Sequence, residues 1–88
     1  MTVILDGLSA TAPLSRAQTI LDGAQVSRSD LPFACKGGVC GTCRAKLVSG
    51  TAQMRRNYAL DPSEVDAGYV LTCQTLPTSD AITVDYDA

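Results

Sequence analysis

The chain predicts an α+β fold: a mixed sheet of four or five strands, one main helix packed across it, and a long irregular loop. Three observations carry this. Short β-branched or alternating segments stand at both ends of the sequence, a helical stripe follows the first pair, and a glycine- and cysteine-rich stretch with no periodicity fills the middle. The order reads ββ-α-loop-β-α-ββ. At 88 residues, a single domain over residues 1–88 is the default. A domain this small is often marginal without a staple.

Thr2–Leu5 reads as a β-branched and apolar strand. Asp6-Gly7 is a strong hairpin signal, and Leu8–Pro13 returns, with Pro13 ending the strand or lying on its edge. Ser15 is expected to begin a helix, since Ser15-Arg16-Ala17-Gln18 fits the reciprocal capping box. Ala17, Ile20, Leu21 and Ala24 then fall on one face. Gly23 weakens that helix by about 1 kcal/mol relative to alanine. From Arg28 to Arg44 periodicity disappears, and Pro32, Gly37, Gly38 and Gly41 interrupt the chain. A loop this long is unusual in a compact domain unless it is functional.

Ala45–Ser49 alternates as a strand, Gly50 turns the chain, and Thr51–Met54 is expected to pair back. Asp61-Pro62-Ser63-Glu64 opens a second helix, with Asp at the N-cap, Pro at the first helical position and Glu three residues on. Gly68 closes it in the left-handed conformation. Tyr69–Leu71 runs as a strand toward Cys73. Ala81–Tyr86 is the last strand, alternating Ile82, Val84 and Tyr86 against Thr83 and Asp85.

The composition is globular: 45% of residues are hydrophobic. No apolar run approaches a membrane span. Met1–Asp6 lacks the basic and apolar regions of a secretion signal, so the expected location is the cytoplasm, where thiols stay reduced. The formal net charge is −2, which by itself names no partner. Five of the seven basic residues, Lys36, Arg44, Lys46, Arg55 and Arg56, lie between positions 36 and 56. The acids gather at the ends and in the Asp61–Asp66 stretch. That distribution is either ordinary solvated surface or a polarised face that orients a partner. No basic patch is interleaved with aromatics, which argues against nucleic-acid binding. Arg55-Arg56 is more often a solvated pair than a docking site, and the simplest reading is a local ion pair with Asp61 and Glu64. Tyr58, Tyr69 and Tyr86 read as packing residues of core or sheet.

The four cysteines, Cys35, Cys40, Cys43 and Cys73, have the spacing C-x4-C-x2-C followed by a distant fourth. That is the spacing of a four-thiolate [2Fe–2S] ligand set. Two ferric ions, two sulfides and four thiolates leave a dianion, which one electron makes a trianion. Burying it is costly unless donors surround it. Gly37, Gly38 and Gly41 let backbone approach closely, so consecutive amides around Lys36 to Thr42 can form an anion nest. Thr42 and Thr72 hydroxyls are candidate further donors, or simply strand and surface threonines. Phe33 is placed either to shield the cluster or to plug the core edge. Other readings of the cysteines stay open. Structural zinc prefers paired C-x2-C units or histidine, two disulfides fit the even count, and a catalytic thiol would need a base. The chain contains no histidine, which excludes a Rieske site.

Leu31-Pro-Phe-Ala-Cys-Lys-Gly-Gly-Val-Cys-Gly-Thr-Cys-Arg-Ala-Lys46 resembles the cluster loop of plant-type ferredoxins. Gly68-Tyr-Val-Leu-Thr-Cys-Gln-Thr-Leu-Pro-Thr-Ser-Asp80 resembles the segment that brings their fourth cysteine. The resemblance spans nearly the whole chain and implies the β-grasp fold, with a helix at Arg16–Val26 across the sheet. It also implies that Cys35, Cys40, Cys43 and Cys73 are the ligands. Met54-Arg55-Arg56-Asn57-Tyr58-Ala-Leu60 and the ending Val84–Ala88 are similar to the C-terminal ferredoxin domain of the phenylacetyl-CoA epoxidase reductase family. In that family a flavin- and NADPH-binding domain precedes the ferredoxin module, which feeds a di-iron oxygenase. The chain has no room for the flavin domain, so it is expected to be an excised domain or a free-standing relative.

The resemblance therefore implies an electron carrier and not an enzyme in its own right. Its expected partners are a flavin-dependent NAD(P)H reductase as donor and an oxygenase, such as phenylacetyl-CoA epoxidase, as acceptor. The alternative is a β-grasp interaction module with zinc or unligated cysteines. Lys36, Arg44 and Lys46 flank the cluster loop, unlike the acidic surroundings in photosynthetic ferredoxins. They should raise the potential above the plant-type value of about −400 mV. Lys36→Glu is accordingly expected to lower it, as read by EPR-monitored redox titration; an unchanged or higher value would contradict the reading.

Overall fold

The computed structural model describes residues 1–28, 31 and 43–88. β1 (Thr2–Leu5) and β2 (Leu8–Thr11) form the expected antiparallel hairpin, with Val3 opposite Ala10. Asp6 and Gly7 in its turn both have positive φ, 55° and 73°. That geometry matches the natural twist of the flanking strands. The far end of the chain closes this turn: the Asp87 carboxylate accepts the N–H groups of Asp6 and Gly7 at 2.8 Å each. Those donors, Gly7 foremost, hold the carboxyl below its ordinary range.

The first helix is shorter than expected. α1 spans Ile20–Ala24, and its N-cap is Thr19, whose hydroxyl accepts the Asp22 N–H at 3.2 Å. Ser15 does not cap it. The Ser15 hydroxyl accepts the Ala17 N–H, and its carbonyl accepts the Gln18 N–H, in a separate turn before the helix. Ala17 is exposed, so the buried face begins at Ile20. The capping signal in the sequence was real as chemistry but was spent on a turn. Gly23 has a packing reason: a Cβ there would lie 2.8 Å from Met1 Cε and 2.9 Å from the Pro13 carbonyl oxygen. A side chain would push α1 off the hairpin, which outweighs the propensity cost.

β3 (Arg44–Ser49) is followed by Gly50 and β4 (Ala52–Met54). β4 does not pair back on β3. It joins β6 (Thr75–Pro77) in a separate two-stranded sheet, Gln53 opposite Leu76. This partner comes from a segment that carries no strand signal of its own. α2 (Pro62–Asp66) keeps the expected start, with the Glu64 carboxylate accepting the Asp61 N–H at 3.1 Å. Gly68, at φ 98°, follows it and leads into β5 (Tyr69–Leu71). A single 3-10 turn over Thr72–Gln74 links β5 to β6, and β7 (Thr83–Asp85) ends the fold.

The main sheet has five strands in the order β2-β1-β7-β3-β5. β1 and β7 lie parallel at its centre and every other pair is antiparallel. This is the β-grasp arrangement that the resemblance implies. The register between β3 and β7 slips between Leu47 and Ser49, and Val48 at that slip is 57% exposed. Val3, Val84, Ala45 and Leu71 from the sheet meet Ile20, Leu21 and Ala24 from α1 in one core. Ile20, Leu21 and Leu71 are wholly buried, each contributing about 1.5–3 kcal/mol.

Gly50 sits at φ 87°, where a Cβ would overlap the Ala81 carbonyl oxygen and lie 2.7 Å from Ile82 Cγ2. Gly50→Ala is expected to destabilise the fold by about 2–4 kcal/mol, combining left-handed strain with overpacking. Urea unfolding measures this, and a loss below about 1 kcal/mol would mean that the turn relaxes freely.

Candidate metal centre

Cys43 is the residue before β3, and Cys73 is the middle of the 3-10 turn after β5. Their strands are antiparallel neighbours, with Arg44 opposite Leu71. The next pair outward is Cys43 and Thr72. The Cys43 carbonyl accepts two hydrogen bonds from Thr72, one from its N–H at 3.2 Å and one from its hydroxyl at 2.8 Å. This clamp carries the sheet pairing one residue past its end. It leaves Cys73 beside Cys43.

The two sulfurs are 30 residues apart in sequence and 3.2 Å apart in space. Both side chains are buried, at 3% and 5% exposure. The separation is far beyond a disulfide bond of about 2.05 Å, so a Cys43–Cys73 disulfide, one of the pairings open to the sequence, is not made. Two soft donors, one from each strand, converge at the same end of the antiparallel pair. That donor chemistry fits iron held by thiolates. Cys35 and Cys40, with Gly37, Gly38, Gly41, Phe33, Lys36 and Thr42, lie outside the described residues.

The surroundings of this pair are polar and satisfied. Tyr86 donates its hydroxyl proton to Thr72 Oγ1 at 2.8 Å, so Tyr86, Thr72 and the Cys43 carbonyl form one chain of hydrogen bonds. Thr72 is thus committed to a carbonyl, where the sequence left open a donor to the cluster or a plain strand or surface threonine. Thr75 donates to the Leu71 carbonyl at 2.7 Å and fixes the exit of the 3-10 turn. The Gln74 side-chain amide donates toward Cys73 Sγ at 3.8 Å. Among the described residues no buried side-chain nitrogen or oxygen lacks a partner.

Tyr86 and Gln74 are neighbours of the centre that sequence reasoning missed. Tyr86 reaches Thr72 across 14 positions and carries no local signal. Gln74 follows a candidate ligand directly, and that adjacency was the available clue.

The charges differ from expectation in one respect. Arg44 Nη1 lies 2.6 Å from Glu64 Oε2, and its guanidinium stacks 5.1 Å from the Tyr69 ring centroid. The Asp61 N–H and then Arg44 hold the Glu64 carboxyl below its ordinary range. Glu64 therefore pairs with Arg44 and not with Arg55-Arg56, and the Arg44 charge near the centre is largely offset. Tyr69 and Tyr86 are part-buried as packing residues should be, but Tyr58 is 71% exposed.

Comparison with known proteins agrees with this geometry. Residues 3–78 match the 2Fe-2S iron-sulfur cluster binding domain. The chain is 52% identical over 71 residues to one component of the 1,2-phenylacetyl-CoA epoxidase of Escherichia coli (strain K12), covering 81% of this chain and 20% of that protein. It is 38% identical over 85 residues to the ferredoxin reductase component of 3-ketosteroid-9-alpha-monooxygenase from Mycobacterium tuberculosis (strain ATCC 25618 / H37Rv), covering 97% of this chain and 24% of that one. A crystal structure of an Amycolatopsis cytochrome P450 reductase superposes with a TM-score of 0.78 at 27% identity, over 99% of this chain and 26% of the other. The chain thus spans about a fifth to a quarter of the length of these curated relatives.

Burial pushes the Tyr86 hydroxyl up to about 12 from its usual 10.0. The folded state keeps a proton that the unfolded chain releases in between. Stability is therefore unaffected below the lower value and falls as pH rises through the window to the upper one. Tyr86→Phe is expected to abolish that alkaline fall and to cost about 1 kcal/mol at neutral pH through the lost hydrogen bond. Urea midpoints measured on both sides of the tyrosine range check both effects.

Proposed function

The chain belongs to the family of 2Fe-2S iron-sulfur cluster binding domains, and on that premise we propose that it carries single electrons from a reduced flavin to an oxygenase. In this reading Cys35, Cys40, Cys43 and Cys73 hold the [2Fe–2S] cluster, and Gly37, Gly38 and Gly41 belong to the same cofactor-binding set. The bound cluster supplies a centre that takes up and gives back one electron with no bond made or broken. The observation that carries the reading is the pair of buried sulfurs, Cys43 and Cys73, brought together from separate parts of the chain.

The residues of the chain have three tasks. Thr72 fixes the Cys43 backbone, so the two thiolates arrive pre-positioned and little reorganisation accompanies each transfer. The burial of Cys43 and Cys73 keeps water from their sulfurs. The Gln74 amide directs a donor at the Cys73 sulfur, where negative charge grows on reduction. Hydrogen bonds to sulfur and restricted solvent access are two of the terms that set the potential of such a centre.

The donor and acceptor are inferred from the relatives. One is a component of an epoxidase, and another is the ferredoxin reductase component of a monooxygenase. A flavin-dependent NAD(P)H reductase upstream and an oxygenase downstream, with phenylacetyl-CoA epoxidase as the first candidate, fit both. The chain has no substrate chemistry of its own in this scheme. Its place of action is the cytoplasm, where the thiols of Cys43 and Cys73 stay reduced. No helix among the described residues is long and apolar enough to cross a membrane.

Anaerobically purified protein is expected to contain about two irons and two labile sulfides per chain, and to show an EPR signal on reduction. Cys73→Ser should lose or destabilise that centre, whereas a fully stable native spectrum would remove Cys73 from the ligand set. A colourless protein holding a single zinc would replace electron transfer with a zinc-held interaction module.

A further inference from the structure

A cavity of about 350 Å³ is lined by Arg55, Arg56 and Gln74. Gln74 is 6% exposed, and the same side chain reaches Cys73 Sγ at 3.8 Å. One residue therefore forms both the wall of the cavity and a neighbour of the centre. Arg55 is tied to that wall, because its N–H donates to the Gln74 carbonyl at 2.7 Å. The cavity and the Cys73 turn are joined by this backbone hydrogen bond and by Gln74 itself.

Among the described residues the two arginine charges at this cavity have no carboxylate partner. Arg16 pairs with Asp80, and Arg44 pairs with Glu64. Arg55 and Arg56 are exposed. The chain as a whole is acidic, at −2, so the pair is a local positive site on a negative molecule. Tyr58 stands two residues further on, 71% exposed. Arginine and tyrosine are among the side chains that most often anchor protein interfaces.

We propose that Arg55, Arg56 and Tyr58 form the docking surface for an acidic face of a redox-partner protein, whose carboxylates enter the cavity against Gln74. The inference rests on the electron-carrier reading and adds to it where the partner sits and what charge it presents. A partner seated there is one side chain away from Cys73. Electron-transfer encounters bury little area and are guided by charge more than by packing, and an arginine pair beside the centre meets that need. A small anion fits less well. Among the described residues the wall is a neutral amide directed at sulfur, and the two guanidinium groups sit on exposed positions rather than enclosing a ligand.

The test uses the reduced protein in stopped-flow with two probe acceptors, the acidic haem protein cytochrome b5 and the basic cytochrome c. R55Q/R56Q removes two positive charges, and Arg16→Glu makes an equal change in net charge away from the cavity. Oxidation by cytochrome b5 is expected to slow by about fivefold or more in R55Q/R56Q at low salt, with less than about twofold change in Arg16→Glu. The difference should vanish between about 0.01 and 1 M salt, as the Debye length falls from roughly 30 to 3 Å. Cytochrome c should react no slower with R55Q/R56Q than with the wild type. An unchanged visible spectrum and equal rates at high salt show that the variant is folded.

Equal slowing in both variants would reduce the effect to net charge and overturn the docking site. So would an unchanged rate in R55Q/R56Q. Competition by inorganic phosphate beyond that of chloride at matched ionic strength would make the cavity a small-anion site instead. A protein with no reducible chromophore overturns the carrier reading and this inference together, whereas a bleaching protein indifferent to the two arginines overturns the docking surface alone.

Discussion

The Cys43 carbonyl accepts both the N–H and the hydroxyl of Thr72, and the geometry of the centre depends on that clamp. The pairing of β3 with β5 brings the two strand ends level. Strand pairing alone places backbones about 5 Å apart and says nothing about where side chains beyond its end will go. The clamp extends the ladder by one residue and converts to a 3-10 turn immediately afterwards. Cys73 is thereby turned onto Cys43 instead of continuing along the strand. The desolvation that makes this site costly is offset within the same network, since Thr72, Thr75 and Tyr86 all find partners.

The network also explains why the last strand matters to a centre it does not touch. β7 lies between β1 and β3 in the sheet, and Tyr86 just beyond it reaches back to Thr72. The first turn of the fold is held by Asp87, the next residue. Two successive residues near the end of the chain thus secure opposite features, the hairpin turn and the clamp at the centre. Disturbance of this short segment should reach both.

The electrostatics divide the surface by use. Arg44 is spent locally on Glu64 and Tyr69, so its charge is largely compensated at short range, and solvent screens what remains. Arg55 and Arg56 face outward beside Gln74. Residues of the same type within one basic stretch therefore have different surroundings. The difference lies in which carboxylate the fold brings near, and the run of charge in the sequence does not state it.

Much of the fold was legible locally. Asp6-Gly7 announced the first hairpin because positive φ at both positions has few other solutions. Asp61-Pro62 with Glu64 announced α2 because capping is a matter of four consecutive residues. The cysteine spacing announced the chemistry, because a four-thiolate centre restricts which positions can serve it. Signals that are local in space failed when a local competitor existed: Ser15 offered the same capping chemistry as Thr19, and only the burial of Ile20 and Leu21 decided between them. Apart from Cys73 with Cys43, the long-range partners had no signal in the sequence. That β4 joins β6, that Glu64 takes Arg44, that Tyr86 braces Thr72 and that Tyr58 stays exposed each depend on packing between segments far apart in the chain. The identity of the centre was thus determined by residue type and spacing, and its support by the tertiary structure, because hydrogen bonds and ion pairs follow proximity in space and not order along the chain.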